Sequence, residues 1–231
     1  MSDEAKVTAM FDQISPTYDL VNRVLSMGMD RLWRKKMIRH VPQKEACSLL
    51  DVATGTGDVL MEAFEQNKAS MAVGIDLSKQ MLKRAKEKFQ RSPFTSQVSF
   101  IEASALDLPF EEEFFDAATI SYGIRNVQDV DLALREMHRV LKEEGKVLIL
   151  EFSHPKNTLL KKLNLLYLRK CLPKVGQWLA KSKSSYEYLN KTIETFPYGD
   201  DFLDLMKTAG FKNCKALPIM GGITTLYLGD K

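Results

Sequence analysis

The chain has 231 residues, of which 45% are hydrophobic, and a formal net charge of +3. That suits one large domain with a substantial core, and no run reaches the roughly 20 apolar residues that span a bilayer. Between Pro155 and Lys183 stand Lys156, Lys161, Lys162, Arg169, Lys170, Lys174, Lys181 and Lys183 without an acid, so the remainder is net acidic. A local basic patch is expected, and general nucleic-acid binding is not.

Residues 1–47 precede the first core strand. Val7–Phe11, Tyr18–Ser26 and Leu32–Val41 read as short helices, separated by Pro16 and by the Gly28-Met29-Asp30 turn. Such a segment is expected to cover the carboxyl ends of the strands. The charges spread through the first thirty residues leave no uncharged core for a signal peptide. Cys47, Cys171 and Cys214 are scattered and lack metal-ligand spacing, which argues for a reducing, cytoplasmic setting and against zinc.

The stretch Leu49-Leu50-Asp51-Val52-Ala53-Thr54-Gly55-Thr56-Gly57-Asp58 turns an apolar strand into a helical pattern through small residues. In an open parallel sheet such a turn is where ligands bind. Glycines let the chain turn sharply, and the following helix N-terminus offers free N–H groups. The next apolar run, Met71–Ile75, ends in Asp76, placed to accept hydrogen bonds from two ribose hydroxyls. Leu60 occupies the third glycine position of a dinucleotide fingerprint, and no Lys-Ser/Thr follows Gly57. The pattern therefore fits S-adenosylmethionine best, with an ordinary strand–helix turn as the plain alternative.

Strands and helices then alternate. Ser78 caps a helix with Met81, Leu82, Ala85 and Phe89 inward, and Val98–Ile101 and Phe115–Ser121 are the third and fourth strands. Asp129 or Asp131 caps a helix that Gly145 is expected to end, and Lys146–Phe152 is the fifth strand. Residues 153–200 form a helical, basic insertion. A helix over Asp201–Ala209 and two terminal strands, Phe211–Leu217 and Ile223–Leu228, follow. Two strands joined by a turn must pair antiparallel. The expected fold is α/β: a doubly wound, mostly parallel seven-stranded sheet with a C-terminal antiparallel hairpin, in one domain. That is the outline of a class I methyltransferase.

The pieces Tyr18-Asp19, Leu32-Trp33-Arg34, Gly-Thr-Gly-Asp58, Leu108-Pro109-Phe110, Gly123-Ile124-Arg125-Asn126, Leu150-Glu151-Phe152-Ser153 and Ser185-Tyr186 resemble the ubiquinone/menaquinone biosynthesis C-methyltransferases over nearly the whole chain. The resemblance implies that Thr56 and its neighbouring backbone hold the methionine part of S-adenosylmethionine, that Asp76 holds the ribose, that Ser104-Ala105 flank the adenine, and that Ser121 lines the site. With Asp51, Gly55 and Gly57 these complete the expected cofactor set. Two positions depart from the family pattern: Thr54 stands where glycine is expected, and Ser104 where asparagine or aspartate is usual.

The implied reaction moves a methyl group to a ring carbon of a polyprenylated hydroquinol, a poor nucleophile until a phenolic proton leaves. One base and one cation would suffice. Asp58 is the candidate base and Arg125 the candidate cation, with Asn126, Tyr18 and Tyr186 as hydrogen-bonding partners of the quinol oxygens. Demethylmenaquinol is the expected acceptor, with the 2-polyprenyl-6-methoxybenzoquinol precursor of ubiquinone as alternative or second substrate. A nicotinamide-dependent dehydrogenase is disfavoured by Leu60 and the hairpin. A non-catalytic cofactor-binding partner in a quinone-synthesis assembly is disfavoured by the presence of Asp58 and Arg125. Leu159, Leu160, Leu163, Leu166 and Cys171 can share one helix side bordered by Lys161, Lys162, Arg169 and Lys170. That pattern suits docking on an anionic membrane surface, with a lid helix as the alternative.

Overall fold

A computed structural model describes residues 3–171 and 183–231. Three helices, α1 (Asp3–Ile14), α2 (Tyr18–Leu25) and α3 (Met29–Ile38), come first. Then follow β1 (Ser48–Val52), α4 (Asp58–Glu65), β2 (Met71–Asp76), α5 (Lys79–Gln90), β3 (Val98–Glu102), β4 (Phe115–Ser121), α6 (Val130–Val140) and β5 (Leu141–Phe152). The insertion contributes α7 (Thr158–Leu166), a π-helical turn (Tyr167–Cys171) and α8 (Lys183–Thr195), before α9 (Asp200–Thr208), β6 (Lys212–Ile219) and β7 (Thr224–Asp230).

The seven strands run in the order β3-β2-β1-β4-β5-β7-β6. The first five pair in parallel, and β7 is antiparallel to both neighbours, with Leu150 opposite Leu226. Successive strand residues face opposite ways. Leu50, Ile75, Ile120 and Ile149 therefore meet α6 and α9 through Leu134, Met137, Phe202 and Met206. Leu49, Leu148 and Leu226 meet α3 and α4 through Met37, Ile38, Leu60 and Phe64. Both faces are covered, which is why β1 is buried at every residue.

Ser78 caps α5, and Asp129 rather than Asp131 caps α6 by accepting from the Leu132 amide at 2.9 Å. The expected role of Gly145 is corrected. The helix ends at Val140, the chain enters β5 at Leu141, and the positive φ of 62° falls on Glu144. Gly145 is required there for space, since a Cβ would stand 2.7 Å from the Lys142 carbonyl oxygen.

Strand order reverses between β1 and β4, so the loops leaving these two strands diverge to opposite faces of the sheet. A crevice opens at their carboxyl ends. Helices α1 and α2 lie across it.

Candidate active site

Asp51 sets the shape of the loop after β1. Its carboxylate is buried and accepts from the Thr54 and Thr119 hydroxyls, each at 2.7 Å, joining the loop to β4. Burial pushes its pKa up to about 7, although both hydroxyls pull it down. Thr54 fits where a glycine was expected because β2 makes room for it. A Cβ on Gly74 would meet the Thr54 side chain at 2.9 Å. Asp51 thus shapes the loop from beneath.

The two glycines of the loop do different work. Gly55 (φ 56°) faces the crevice, with the Tyr18 ring as the nearest neighbour of a would-be Cβ at 4.0 Å. Gly57 (φ 79°) is turned onto α5, where a Cβ would stand 3.1 Å from Phe89, and its amide donates to the Thr54 carbonyl. At Gly57 it is packing against α5 that leaves no space for a side chain. Ala53 (φ 51°) and Tyr122 (φ 58°) hold the same left-handed region without being glycine, at the ends of β1 and β4. Strain of this kind persists where surrounding contacts impose it and gathers at functional sites.

Two chambers meet in the crevice. The first, about 770 Å³ counting its mouth, is lined by Asp76, Ser104, Ala105, Gly55 and residues of α1. Asp76 Oδ2 accepts from the Gly55 amide and Oδ1 from the Ser78 amide, each at 2.8 Å, which leaves lone pairs on both oxygens for a diol. Burial raises its pKa against those amides. The second chamber, about 1150 Å³, is lined by Asp58, Arg125, Arg34, Asn22, Phe152 and Tyr188. Tyr18, Ser121 and Asn126 line both. The Ser121 hydroxyl is buried and has no partner, a donor waiting at the junction.

A cofactor with a ribose fits the first chamber: an acid with spare lone pairs, a side-chain-free approach at Gly55 and an orphaned hydroxyl. Thr56 is less available than the sequence suggests. Its hydroxyl donates to Asp19 at 2.6 Å and accepts from Lys88 at 3.1 Å, tying α2 to the loop.

Asp58, the candidate base, lines the second chamber among three cations. Asp58 pairs with Lys88 at 2.6 Å, Arg34 at 2.8 Å and Arg23 at 3.7 Å. Burial pushes its pKa up, but Arg34 and Lys88 outweigh that and hold it below the ordinary range. A carboxylate so held is a weak proton acceptor at neutral pH. Its place in the structure is as an anchor between α2, α3 and α5.

Arg125 leaves β4 beside the second chamber and pairs with Glu151 of β5 at 2.7 Å, both side chains nearly inaccessible. The same nitrogen donates to the Tyr122 carbonyl at 2.6 Å, and the guanidinium lies 5.3 Å from the centre of the Phe152 ring. Its Nε is buried without a partner. Burial pushes Glu151 up while Arg125 pulls it down, and the net shift is upward. Tyr18 is held protonated by burial. Tyr186 falls on α8, but its side chain lies outside the described residues. Glu151, Arg34, Asn22 and Tyr188 gained no role from the sequence. An acid inside the apolar run of β5 was the available sign for Glu151, because a buried charge needs a partner.

A family model described as the ubiE/COQ5 methyltransferase family matches residues 1–231. The ubiquinone/menaquinone biosynthesis C-methyltransferase UbiE of Geotalea uraniireducens is 45% identical over 227 residues, covering 98% of this chain and 96% of that protein. The demethylmenaquinone methyltransferase of Bacteroides fragilis is 36% identical, covering 98% and 92%. Among solved structures, a SAM-dependent methyltransferase from Thermotoga maritima superposes with a TM-score of 0.65 at 20% identity, covering 96% of this chain and 99% of that one. Phosphoethanolamine N-methyltransferase 2 of Haemonchus contortus, in complex with S-adenosylmethionine, gives 0.63 at 15%, covering 86% and 52%. At these identities the two structures show a shared fold.

The buried Arg125–Glu151 pair predicts a specific double-mutant pattern. Arg125→Ala strands a buried acid and should cost about 3–5 kcal/mol in thermal or denaturant unfolding. Adding Glu151→Gln should recover most of that loss, and additive losses would show that the two do not interact. Asp51 predicts a pH dependence. The folded protein keeps its proton up to about pH 7 while the unfolded chain loses it near the ordinary carboxylate value, so ionisation costs stability across that window. The melting temperature of Asp51→Asn relative to wild type should rise between pH 4 and 7 and level off above. A constant difference would mean Asp51 titrates as it does in the unfolded chain.

Proposed function

Because this chain belongs to the ubiE/COQ5 methyltransferase family, and so is an S-adenosylmethionine-dependent C-methyltransferase of quinone biosynthesis, we propose that it methylates the ring of demethylmenaquinol. The observation that carries this reading is the junction of the two chambers at Tyr18, Ser121 and Asn126. A donor in one chamber and an acceptor in the other would meet along this shared wall, which Phe11, Ala53, Gly55 and Tyr122 also line. When bound, S-adenosylmethionine supplies an electrophilic methyl group on a sulfonium sulfur.

The cofactor is held by Asp76 through its ribose, by the turn at Gly55, and by Ser121 through its unpartnered hydroxyl. The quinol occupies the second chamber between Phe11, Ile14, Leu25 and Phe152, which suit a flat ring and the first part of a prenyl chain. The Arg125 guanidinium beside the second chamber favours the anionic form of a quinol oxygen, whose proton leaves to water, and so pushes electron density into the ring. Glu151 fixes the plane of that guanidinium. Asn126 and Tyr18 orient the ring oxygens, and Asp58 keeps the cover and the loop in register through its cations. With labelled S-adenosylmethionine, label should enter extracted demethylmenaquinol. Label entering only the 2-polyprenyl-6-methoxybenzoquinol precursor would assign the chain to ubiquinone synthesis, and label entering neither would leave it a binding partner.

A prenylated acceptor resides in a bilayer, and no described helix is long and apolar enough to cross one. The reading that α7 docks on the membrane is supported by Leu159 (68% exposed), Leu163 and Leu166 (both 55%) and Leu160 (40%). Met220 is exposed as well, and Leu160 packs beside its neighbour Gly221. The Tyr167 hydroxyl donates to the Leu25 carbonyl at 2.7 Å, which sets the insertion at the rim of the second chamber. Arg169 drops out of the expected basic border, since Glu194 neutralises it at 2.7 Å. Residues 172–182 of the basic segment lie outside the described residues. The protein should co-sediment with anionic vesicles at low salt, and Leu159→Asn with Leu163→Asn should release it while binding of S-adenosylhomocysteine is kept. Wild-type protein that stays in the supernatant would make α7 a lid.

A further inference from the structure

Ser104 stands where an amide or a carboxylate would be usual, and the structure puts a carboxylate next to it from elsewhere in the chain. Glu4, in the first turn of α1, lines the same chamber as Asp76. Its Oε1 accepts from the Ser104 hydroxyl at 3.2 Å, and that hydroxyl in turn accepts from the Leu106 amide at 3.2 Å. The one hydrogen of Ser104 is thus used on Glu4, so Ser104 has none to give a ligand while this bond stands. A carboxylate accepts up to about four hydrogen bonds, so Ser104 takes only part of what Glu4 offers.

The walls of this chamber include Val7, Phe11, Leu77, Met81, Ala105 and Val127, all apolar. An apolar slot with a diol-binding acid at Asp76 and a second acid at Glu4 suits a flat heterocycle. Its sugar would lie on the first acid and a hydrogen-bond donor on the second. A ring edge presenting only acceptors would be repelled by Glu4. Helix α1 is fixed on the other side by Asp12, which accepts from the Ser78 hydroxyl at 2.5 Å and from the Gln80 amide at 3.3 Å. One helix therefore touches both the loop after β2 and the loop after β3.

We propose that Glu4 reads the exocyclic amine of the cofactor's adenine, supplying from α1 a carboxylate beside Ser104, so that the adenosyl group and α1 hold each other in place. This rests on the reading of the first chamber as the cofactor site. It makes the N-terminal helix part of the binding site as well as its cover. Entry and departure of the cofactor then require α1 to lift.

The test compares S-adenosylhomocysteine with its 6-oxo counterpart, S-inosylhomocysteine, by calorimetry on the full chain. Wild-type protein should prefer the 6-amino compound by about tenfold or more, the size of one charge-assisted hydrogen bond. Glu4→Ala should lose that factor for S-adenosylhomocysteine and none for the inosine compound, and Glu4→Gln, which keeps an acceptor without the charge, should fall between. Hydrogen exchange over residues 3–14 should slow when S-adenosylhomocysteine binds wild type and slow less in Glu4→Ala. If Glu4→Ala weakens both compounds equally, or neither, Glu4 is only a tether for α1 and the proposal is overturned. Exchange that S-adenosylhomocysteine leaves unchanged would overturn the coupling to α1. Wild-type protein that binds neither compound would instead overturn the cofactor-site reading beneath it.

Discussion

The buried carboxylate of Asp51 is the constraint on which the crevice depends. It lies where β1 and β4 part, and it fastens the turn of one strand to the other through two threonine hydroxyls. With Thr54 held down and Gly74 giving it space, the chain has only a left-handed path through Ala53 and Gly55. That path delivers the Gly55 amide to Asp76, and Asp76 to the mouth of the first chamber. A solvated acid at position 51 could not do this, because water would satisfy it equally well in any loop conformation.

The N-terminal helices are joined to the sheet by their acids. Glu4 meets the loop after β3, Asp12 the loop after β2, and Asp19 the loop after β1 through Thr56 and Lys88. These three carboxylates thus bond three different strand-end loops, whereas Asp30 of α3 bonds Arg23, Ser26 and Arg34 within the N-terminal segment. Such polar contacts are modest individually and exchange readily with water, unlike the apolar packing that fixes α3 onto α4 and the sheet.

The charged side chains that line the second chamber are engaged in different ways. Asp58 and Arg34 face it, yet each is engaged by opposite charges, with Asp30 and Lys88 completing the cluster. Arg125 is different, because its pairing with Glu151 uses one end of the guanidinium and leaves Nε unpartnered. The same ion pair fixes the plane of the Arg125 guanidinium beside the chamber.

Much of the fold was legible because it follows from local chemistry. Apolar runs of strand length, Ser78 and Asp129 as caps, and a turn too short for a crossover dictate a parallel sheet closed by an antiparallel hairpin. The turn at Gly55 and the acid at Asp76 were legible for the same reason, since each is defined by residues close in sequence. What the sequence by itself could not decide is which polar groups would find each other across long separations. That Lys88 and Arg34 surround Asp58, and that Glu4, Ser104 and Asp76 share one chamber, holds only after the chain has closed. Gly57 looks identical to Gly55 in the motif, and only the approach of Phe89 distinguishes the glycine packed on α5 from the one that faces the crevice. Periodicity and capping are short-range and written in neighbouring residues; burial, ion pairing and pKa are set by what the folded chain puts beside a group.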